Sequence, residues 1–100
     1  MRNELILSDQ QLESQLKELE HWNIKNEKLF KVFKFLDFAQ AFEFMSLVAI
    51  LAEGMDHHLE WSNVYNEVEI NLITHSEGGI TQLDIDLAKK IDFQYNDLDF

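Results

Sequence analysis

Three of the four histidines in this 100-residue chain lie close to one another in the sequence, beside a carboxylate. His57 and His58 are adjacent, Glu53 precedes His57 by four positions, and His75 follows His58 by seventeen. Imidazole is the only side chain whose ordinary pKa, about 6.5, lets it give and take protons near neutral pH. The chain has no cysteine, which excludes thiol chemistry. The pattern therefore predicts a proton-transfer site.

The same residues also have structural interpretations. His57 and His58 could cap the C-terminus of a helix, where a positive charge is favourable, and His75 could be an exposed residue at the end of a strand. The residues that could instead be solvated or capping carboxylates are Glu53, Glu60 and Asp84. The tryptophans, which are more often core residues than ligand platforms, are Trp22 and Trp61.

A metal site is a further alternative, because three imidazoles and a carboxylate can bind zinc. The chain lacks a strong ligand motif such as H-E-x-x-H. We therefore expect no metal, and keep a metal-dependent hydrolase as a rival function.

Composition narrows the class of protein. The chain has 8 basic and 19 acidic residues and a net charge of -11, so direct binding to nucleic acid or to anionic membranes is not expected. The longest apolar stretch, residues 38–52, is shorter than the roughly 20 residues that span a bilayer. The first four residues have no signal-peptide pattern. The sequence predicts one soluble, cytoplasmic domain over residues 1–100.

Local signals predict the order of the elements. Ser8 with Gln11 has the form of a capping box for a helix over residues 9–19. Aromatic and branched residues predict a hairpin with strands at 22–24 and 29–35. Asp37 is the expected N-cap of a second helix, from residue 38 to about 55.

The second half of the chain predicts a further hairpin and a helix. Apolar and polar residues alternate over 61–74, and a reversal near residues 65–67 would return His75 to the neighbourhood of His58. Without that reversal the two histidines would lie about 45 Å apart. Thr81 with Asp84 resembles a capping box for a third helix, and the acidic tail after Asp92 is expected to fray.

The predicted order is α-β-β-α-β-β-α. It indicates a two-layer α+β fold, in which three helices cover one face of a four-stranded antiparallel sheet. Glu53 and His57 would share a face of the second helix if that helix reaches so far, although Gly54 suggests that it ends there.

The second helix is apolar on almost every side. Only Gln40, Glu43 and Ser46 interrupt residues 38–52, whereas a helix at the surface of a monomer normally has one apolar stripe. Packing on the sheet alone would leave Phe44, Leu47 or Ile50 in water. We therefore expect a homo-oligomer that associates through this helix. The alternative is a central helix buried within one domain.

Longer motifs carry a resemblance to a known family. Residues 52–66 contain the element E-x3-H-H-x-E-W, and Thr74-His75 and residues 79–85 follow it. Together they resemble the pterin-4a-carbinolamine dehydratases. Trp22 and residues 33–38 match upstream parts of the same pattern. The resemblance extends from Ser8 to about Ile91, and the paired histidines followed by T-H are specific to it.

The resemblance implies a small α+β enzyme, a dimer or tetramer, that needs no metal or organic cofactor. It implies dehydration of 4a-hydroxytetrahydropterin to quinonoid dihydropterin, which recycles the pterin of aromatic amino-acid hydroxylases. Carried over by position, the catalytic residues are Glu53, His57, His58 and His75. The residues implied to contact the pterin are His57, His58, Leu59, Thr74, His75, Ser76 and Glu77, with Trp22 and Asp84 as contributors.

The expected mechanism assigns His57 or His75 as general acid and the other as base. His58 would orient the ring, and Glu53 would fix the tautomer of one imidazole. The chain departs from the family at Leu59, where proline is common, and at Gly54, where a larger residue is usual. Two rival functions follow from the resemblance: a pterin-binding protein without turnover, and a dimerisation partner of a homeodomain transcription factor, as in mammalian members.

Overall fold

The order of helices and strands agrees with the sequence prediction. A computed structural model describes residues 5–98. Its elements are α1 (Asp9–Leu16), β1 (Asn23–Lys25), β2 (Lys28–Lys34), α2 (Phe38–Gly54), β3 (Glu60–Val64), β4 (Glu67–Leu72) and α3 (Gln82–Asp97). The strands form one antiparallel sheet in the order β1-β2-β4-β3. The predicted α+β class is confirmed.

The helices cover one face of the sheet, and this face holds the core. The inward side chains of β2 and β4 alternate with exposed ones, as a half-buried strand requires. Helix α2 buries residues at a spacing of three or four, which makes one stripe: Ala41, Phe44, Val48 and Ala52. Helix α3 contributes Ile85, Leu87, Ala88 and Ile91 to the same core.

The expected reversal between β3 and β4 is confirmed at Tyr65 and Asn66. The turn has no glycine, and Tyr65 adopts a left-handed φ of 51°. The side-chain amide of Asn63 donates to the carbonyl oxygens of Tyr65 and Glu67, at 3.1 and 2.8 Å. A side-chain clamp therefore closes the hairpin that carries the chain back towards His75.

The bounds of α1, β1, β2 and α3 differ from the prediction. Helix α1 ends at Leu16 rather than at residue 19, and β1 and β2 are displaced by about one residue. The expected fraying after Asp92 is wrong for the described part of the tail, because α3 continues to Asp97. Tyr95 packs against Phe33 and Phe44, and its hydroxyl donates to a backbone carbonyl of β2. Residues 99 and 100 lie outside the described residues.

Helix α2 is only partly covered within one chain. Phe44, which was expected to remain in water, is fully buried, and Leu47 is half-buried. Phe42 and Ile50 are 55% and 69% exposed, and Phe38 stacks on Phe42 with ring centroids 5.8 Å apart. We define the α2 face as Phe38, Phe42 and Ile50. None of the helices within residues 5–98 is long and apolar enough to cross a bilayer.

Candidate active site

Each of the three clustered histidines pairs with a different carboxylate. The sequence predicted one orienting carboxylate, Glu53, whereas the structure contains three. In every pair it is the Nε2 atom of the ring that lies next to the carboxylate oxygen. The pairs are His57–Asp84 at 2.6 Å, His58–Glu53 at 3.0 Å and His75–Glu60 at 2.7 Å.

The end of α2 determines which histidine turns inward. The helix stops at Gly54, and Asp56 adopts a left-handed φ of 49°. The backbone amide of His57 then donates to the carbonyl of Ala52, and the residue is only 5% exposed. The condition under which Glu53 and His57 would share a helix face is not met, because α2 ends before His57, where Gly54 indicated that it would end. Glu53 contacts the exposed ring of His58 instead.

A buried hydrogen-bond network holds the carboxylate that faces His57. Asp84 Oδ2 accepts from the backbone amide of Thr81 at 2.9 Å and from the hydroxyl of Thr74 at 2.8 Å. The two threonine hydroxyls are themselves 2.7 Å apart. Asp84 and Thr81 are fully buried, and Thr74 is 2% exposed. The predicted capping box of α3 therefore also fixes the ring of His57.

His75 lies in the loop that follows β4. The loop is closed by a bridge between Thr74 and Gly79, and Gly78 supplies a positive φ of 72° that a side chain would disfavour. The side chain of His75 is 61% exposed, and its Nε2 faces Glu60 Oε2. Ser76 is exposed and Glu77 half-buried in the same loop.

Glu60 joins His75 to a lysine. Its other oxygen, Oε1, lies 2.6 Å from Lys28 Nζ at the start of β2. The hydrogen bond from Lys28, followed by the one from His75, lowers the pKa of Glu60 below its ordinary value. The carboxylate is therefore ionised at neutral pH and can only accept hydrogen bonds.

The structure brings some predicted site residues together and separates one of them. His57, Thr74 and Asp84 belong to one network. Leu59, two residues after His57, is partly buried and packs against the hydrophobic core. Trp22 is 4% exposed, and its indole nitrogen donates to Asp92 on α3, so its hydrogen bond belongs to the core.

Sequence reasoning missed Glu60, Lys28 and Thr81. Glu60 stands in the E-x3-H-H-x-E-W element, but the sequence alone indicates only a solvated or capping carboxylate. Thr81 was identified only as a helix cap. No local signal could have assigned Lys28, because its contact with Glu60 depends on β4 lying between β2 and β3.

Two other kinds of site are a metal centre and a ligand cavity. Among residues 5–98, no group of three or more histidine and acidic side chains could hold a metal ion. A cavity of about 620 Å³ lies between the segment after α1, strand β2 and α3, and the three clustered histidines do not line it. Lys31, which does line it, is neutralised by Asp92 at 2.8 Å. The ion pair between Lys31 and Asp92 therefore gives the cavity no unpaired charge.

The three histidine–carboxylate pairs can support proton transfer. An ionised carboxylate at Nε2 accepts a hydrogen bond from the N–H of the ring, which leaves Nδ1 of a neutral imidazole as the nitrogen with a free lone pair. A positioned imidazole of this kind can act as a general base, and its protonated form as a general acid.

The fold and this site define a small α+β protein in which three histidines each pair with a carboxylate. A profile of the family described as pterin 4 alpha carbinolamine dehydratase matches residues 6–94. The chain belongs to this family. A provisionally named pterin-4-alpha-carbinolamine dehydratase of Solibacter usitatus is 49% identical over 86 residues, which are 86% of this chain and 90% of that protein.

Solved structures agree with this assignment. The crystal structure of a transcriptional coactivator/pterin dehydratase from Brucella melitensis has a TM-score of 0.88 and 41% identity, and covers 91% of this chain and 99% of that one. A pterin dehydratase-like protein identified as a RuBisCO assembly factor in the alpha-carboxysome has a TM-score of 0.62 and 24% identity. It covers 74% of this chain and 86% of that one, and shows the fold alone.

Proposed function

We propose that the protein dehydrates pterin-4a-carbinolamine. The substrate would be 4a-hydroxytetrahydropterin, and the products quinonoid dihydropterin and water. In an organism with aromatic amino-acid hydroxylases, this reaction would recycle their pterin. Membership of the family supports the proposal. The observation that carries it is the set of three imidazoles, each held by its own carboxylate.

The proposed mechanism needs one acid and one base. The bond between carbon 4a and the hydroxyl oxygen breaks, the oxygen leaves as water after taking a proton, and N5 loses its proton as the new double bond forms. His57 and His75 would fill these two roles in one order or the other, and His58 would orient the pterin. Asp84 would fix the ring of His57, and Glu53 that of His58. The proposal requires no metal and no organic cofactor.

The remaining predicted site residues would act in two ways. Leu59, Ser76 and Glu77 would line the pterin beside the exposed histidines. Thr74 donates its hydroxyl to Asp84 and would act through that carboxylate. Trp22 would act only through the packing of the core, because its indole N–H is taken up by Asp92.

A stopped-flow assay with generated 4a-hydroxytetrahydropterin tests the proposal. We expect the protein to accelerate loss of the carbinolamine well beyond its spontaneous rate, and a metal chelator to leave that rate unchanged. Pterin affinity measured on the same sample by fluorescence separates the rivals. Affinity without acceleration would favour the pterin-binding alternative, and neither affinity nor acceleration would refute both.

We also propose that the protein associates with a second copy of itself through the α2 face. Phe38, Phe42 and Ile50 are all about half exposed or more, and none of them belongs to the buried stripe of α2. Large apolar side chains that are exposed together on one helix are typical of an interface. Phe38 and Phe42 contact each other, with ring centroids 5.8 Å apart, so they present a joint aromatic surface to a second copy.

Phe42→Glu is expected to break this association. A carboxylate buried in an apolar interface loses its hydration, so we expect the dissociation constant to rise by at least about 100-fold. Light scattering should then show a monomer, whereas the unmodified protein should be a dimer or larger. Phe93→Glu, at an exposed phenylalanine of α3, is the matched control and should leave the assembly intact. Equal masses for all three proteins would contradict the proposal.

A protein partner is a second candidate role. The Brucella melitensis neighbour is described as a coactivator as well as a dehydratase, and the α2 face is the apolar surface that a partner could share. If light scattering shows only monomers, this role gains support over self-association. The cytoplasmic location expected from the sequence stays a prediction.

A further inference from the structure

The turn between β1 and β2 places a lysine beside the exposed histidine. Asn26 and Glu27 both adopt positive φ values, 54° and 64°, which gives the tight two-residue turn of a hairpin. Lys28 follows the turn directly, opposite Lys25 in the register of the strands. Its ammonium reaches across β4 to the carboxylate of Glu60 on β3.

One carboxylate therefore connects three separate segments. Lys28 Nζ lies 2.6 Å from Glu60 Oε1, and His75 Nε2 lies 2.7 Å from Glu60 Oε2. We propose that Lys28 is a positioning residue for His75, acting through Glu60. The inference rests on the proposed function, because it concerns how one of the proposed proton-transfer groups is held.

The geometry gives Lys28 an orienting role. The side chains of Lys28, Glu60 and His75 are 29%, 41% and 61% exposed, so Lys28 is the most buried of the three groups. A half-exposed glutamate with no second partner would rotate freely in water. With one oxygen held by the ammonium, the other oxygen stays directed at Nε2 of His75. The Nδ1 atom of the ring is then left for the substrate.

The charges give Lys28 a second effect. The groups that act on Glu60 are Lys28 and His75, and their hydrogen bonds hold its pKa below the ordinary value. The positive charge of Lys28 also offsets part of the negative charge that faces His75. Removing Lys28 therefore leaves the full negative charge of Glu60 facing His75 at neutral pH.

Lys28→Met tests this role in the dehydratase assay. We expect kcat/KM to fall by about twofold to fivefold, the range that exposed ion pairs support. The limb of the pH–rate profile that involves His75 should also shift, because the negative charge of Glu60 that faces His75 is no longer offset by Lys28. Lys28→Arg should restore most of the rate and the position of that limb.

Lys34→Met is the matched control. Lys34 lies at the other end of β2 and forms an ion pair of the same type, with Glu67 at 3.4 Å. We expect its rate and its pH profile to equal those of the unmodified protein. A Lys28→Met variant that behaves like Lys34→Met would overturn the inference.

A titration separates failure of this inference from failure of the proposed function. Carbon-13 NMR of the Glu60 carboxyl group needs no turnover, and Lys28→Met should raise the pKa of Glu60 towards its ordinary value. An unmodified protein without dehydratase activity overturns the proposed function and the positioning role of Lys28 with it. An active protein whose pH profile is unmoved in Lys28→Met, or in which the pKa of Glu60 does not rise, overturns this inference alone.

Discussion

Replacing His75 with asparagine is expected to lower kcat by more than about tenfold. A general acid or base typically supplies 10²–10⁴-fold, and loss of one of the two should remove much of that acceleration. Asparagine stays polar at this exposed position but cannot exchange a proton near neutral pH. Because the side chain of His75 is 61% exposed, we expect the free energy of unfolding to change by no more than about 0.5 kcal/mol.

His21 offers the matched control for this experiment. It is the fourth histidine of the chain, it is exposed, and its left-handed φ of 64° is one that asparagine tolerates well. His21→Asn should therefore leave kcat unchanged in the same stopped-flow assay. A His75→Asn variant with unmodified turnover would refute the role of His75. His57 is less suited to this test, because removing its ring leaves the buried carboxylate of Asp84 without that partner.

The helix starts could be predicted from the sequence because they depend on local hydrogen bonds. Ser8, Asp37 and Thr81 each accept from a backbone amide two or three positions onward. Such contacts are encoded within one turn of chain. Helix ends were harder to predict, since the length of α3 depends on Tyr95 packing against aromatic residues of β2 and α2.

The candidate site shows the same division between local and distant contacts. The motif gave the three histidines and named Asp84 as a contributor. The partners of the rings were not predictable, because Asp84 is 27 positions from His57 and Glu60 is 15 from His75. Spacing along α2 favoured Glu53 as the partner of His57. Only the place where α2 ends decides that Glu53 faces His58 instead.

Asp84→Asn is expected to lower kcat by about 10²-fold or more while the protein still folds. The amide oxygen can replace Oδ2 and accept from Thr81 and Thr74, which keeps the cap of α3. The amide nitrogen then faces Nε2 of His57 and can only donate. Nε2 must therefore become the acceptor and the ring proton must move to Nδ1, so the nitrogen available to the substrate loses its lone pair.

Three measurements distinguish this tautomer effect from simple loss of structure. Nitrogen-15 NMR should show the protonated nitrogen of His57 changing from Nε2 to Nδ1, and kcat should fall with it. The free energy of unfolding should drop by only about 1–3 kcal/mol, since a single charge-assisted hydrogen bond is weakened. Asp86→Asn is the matched control, because Asp86 is exposed on the same helix and accepts from Gln82 at 3.0 Å. If turnover stays normal although the tautomer of His57 has changed, Asp84 acts only as the cap of α3. Proton transfer would then depend on the His58–Glu53 and His75–Glu60 pairs.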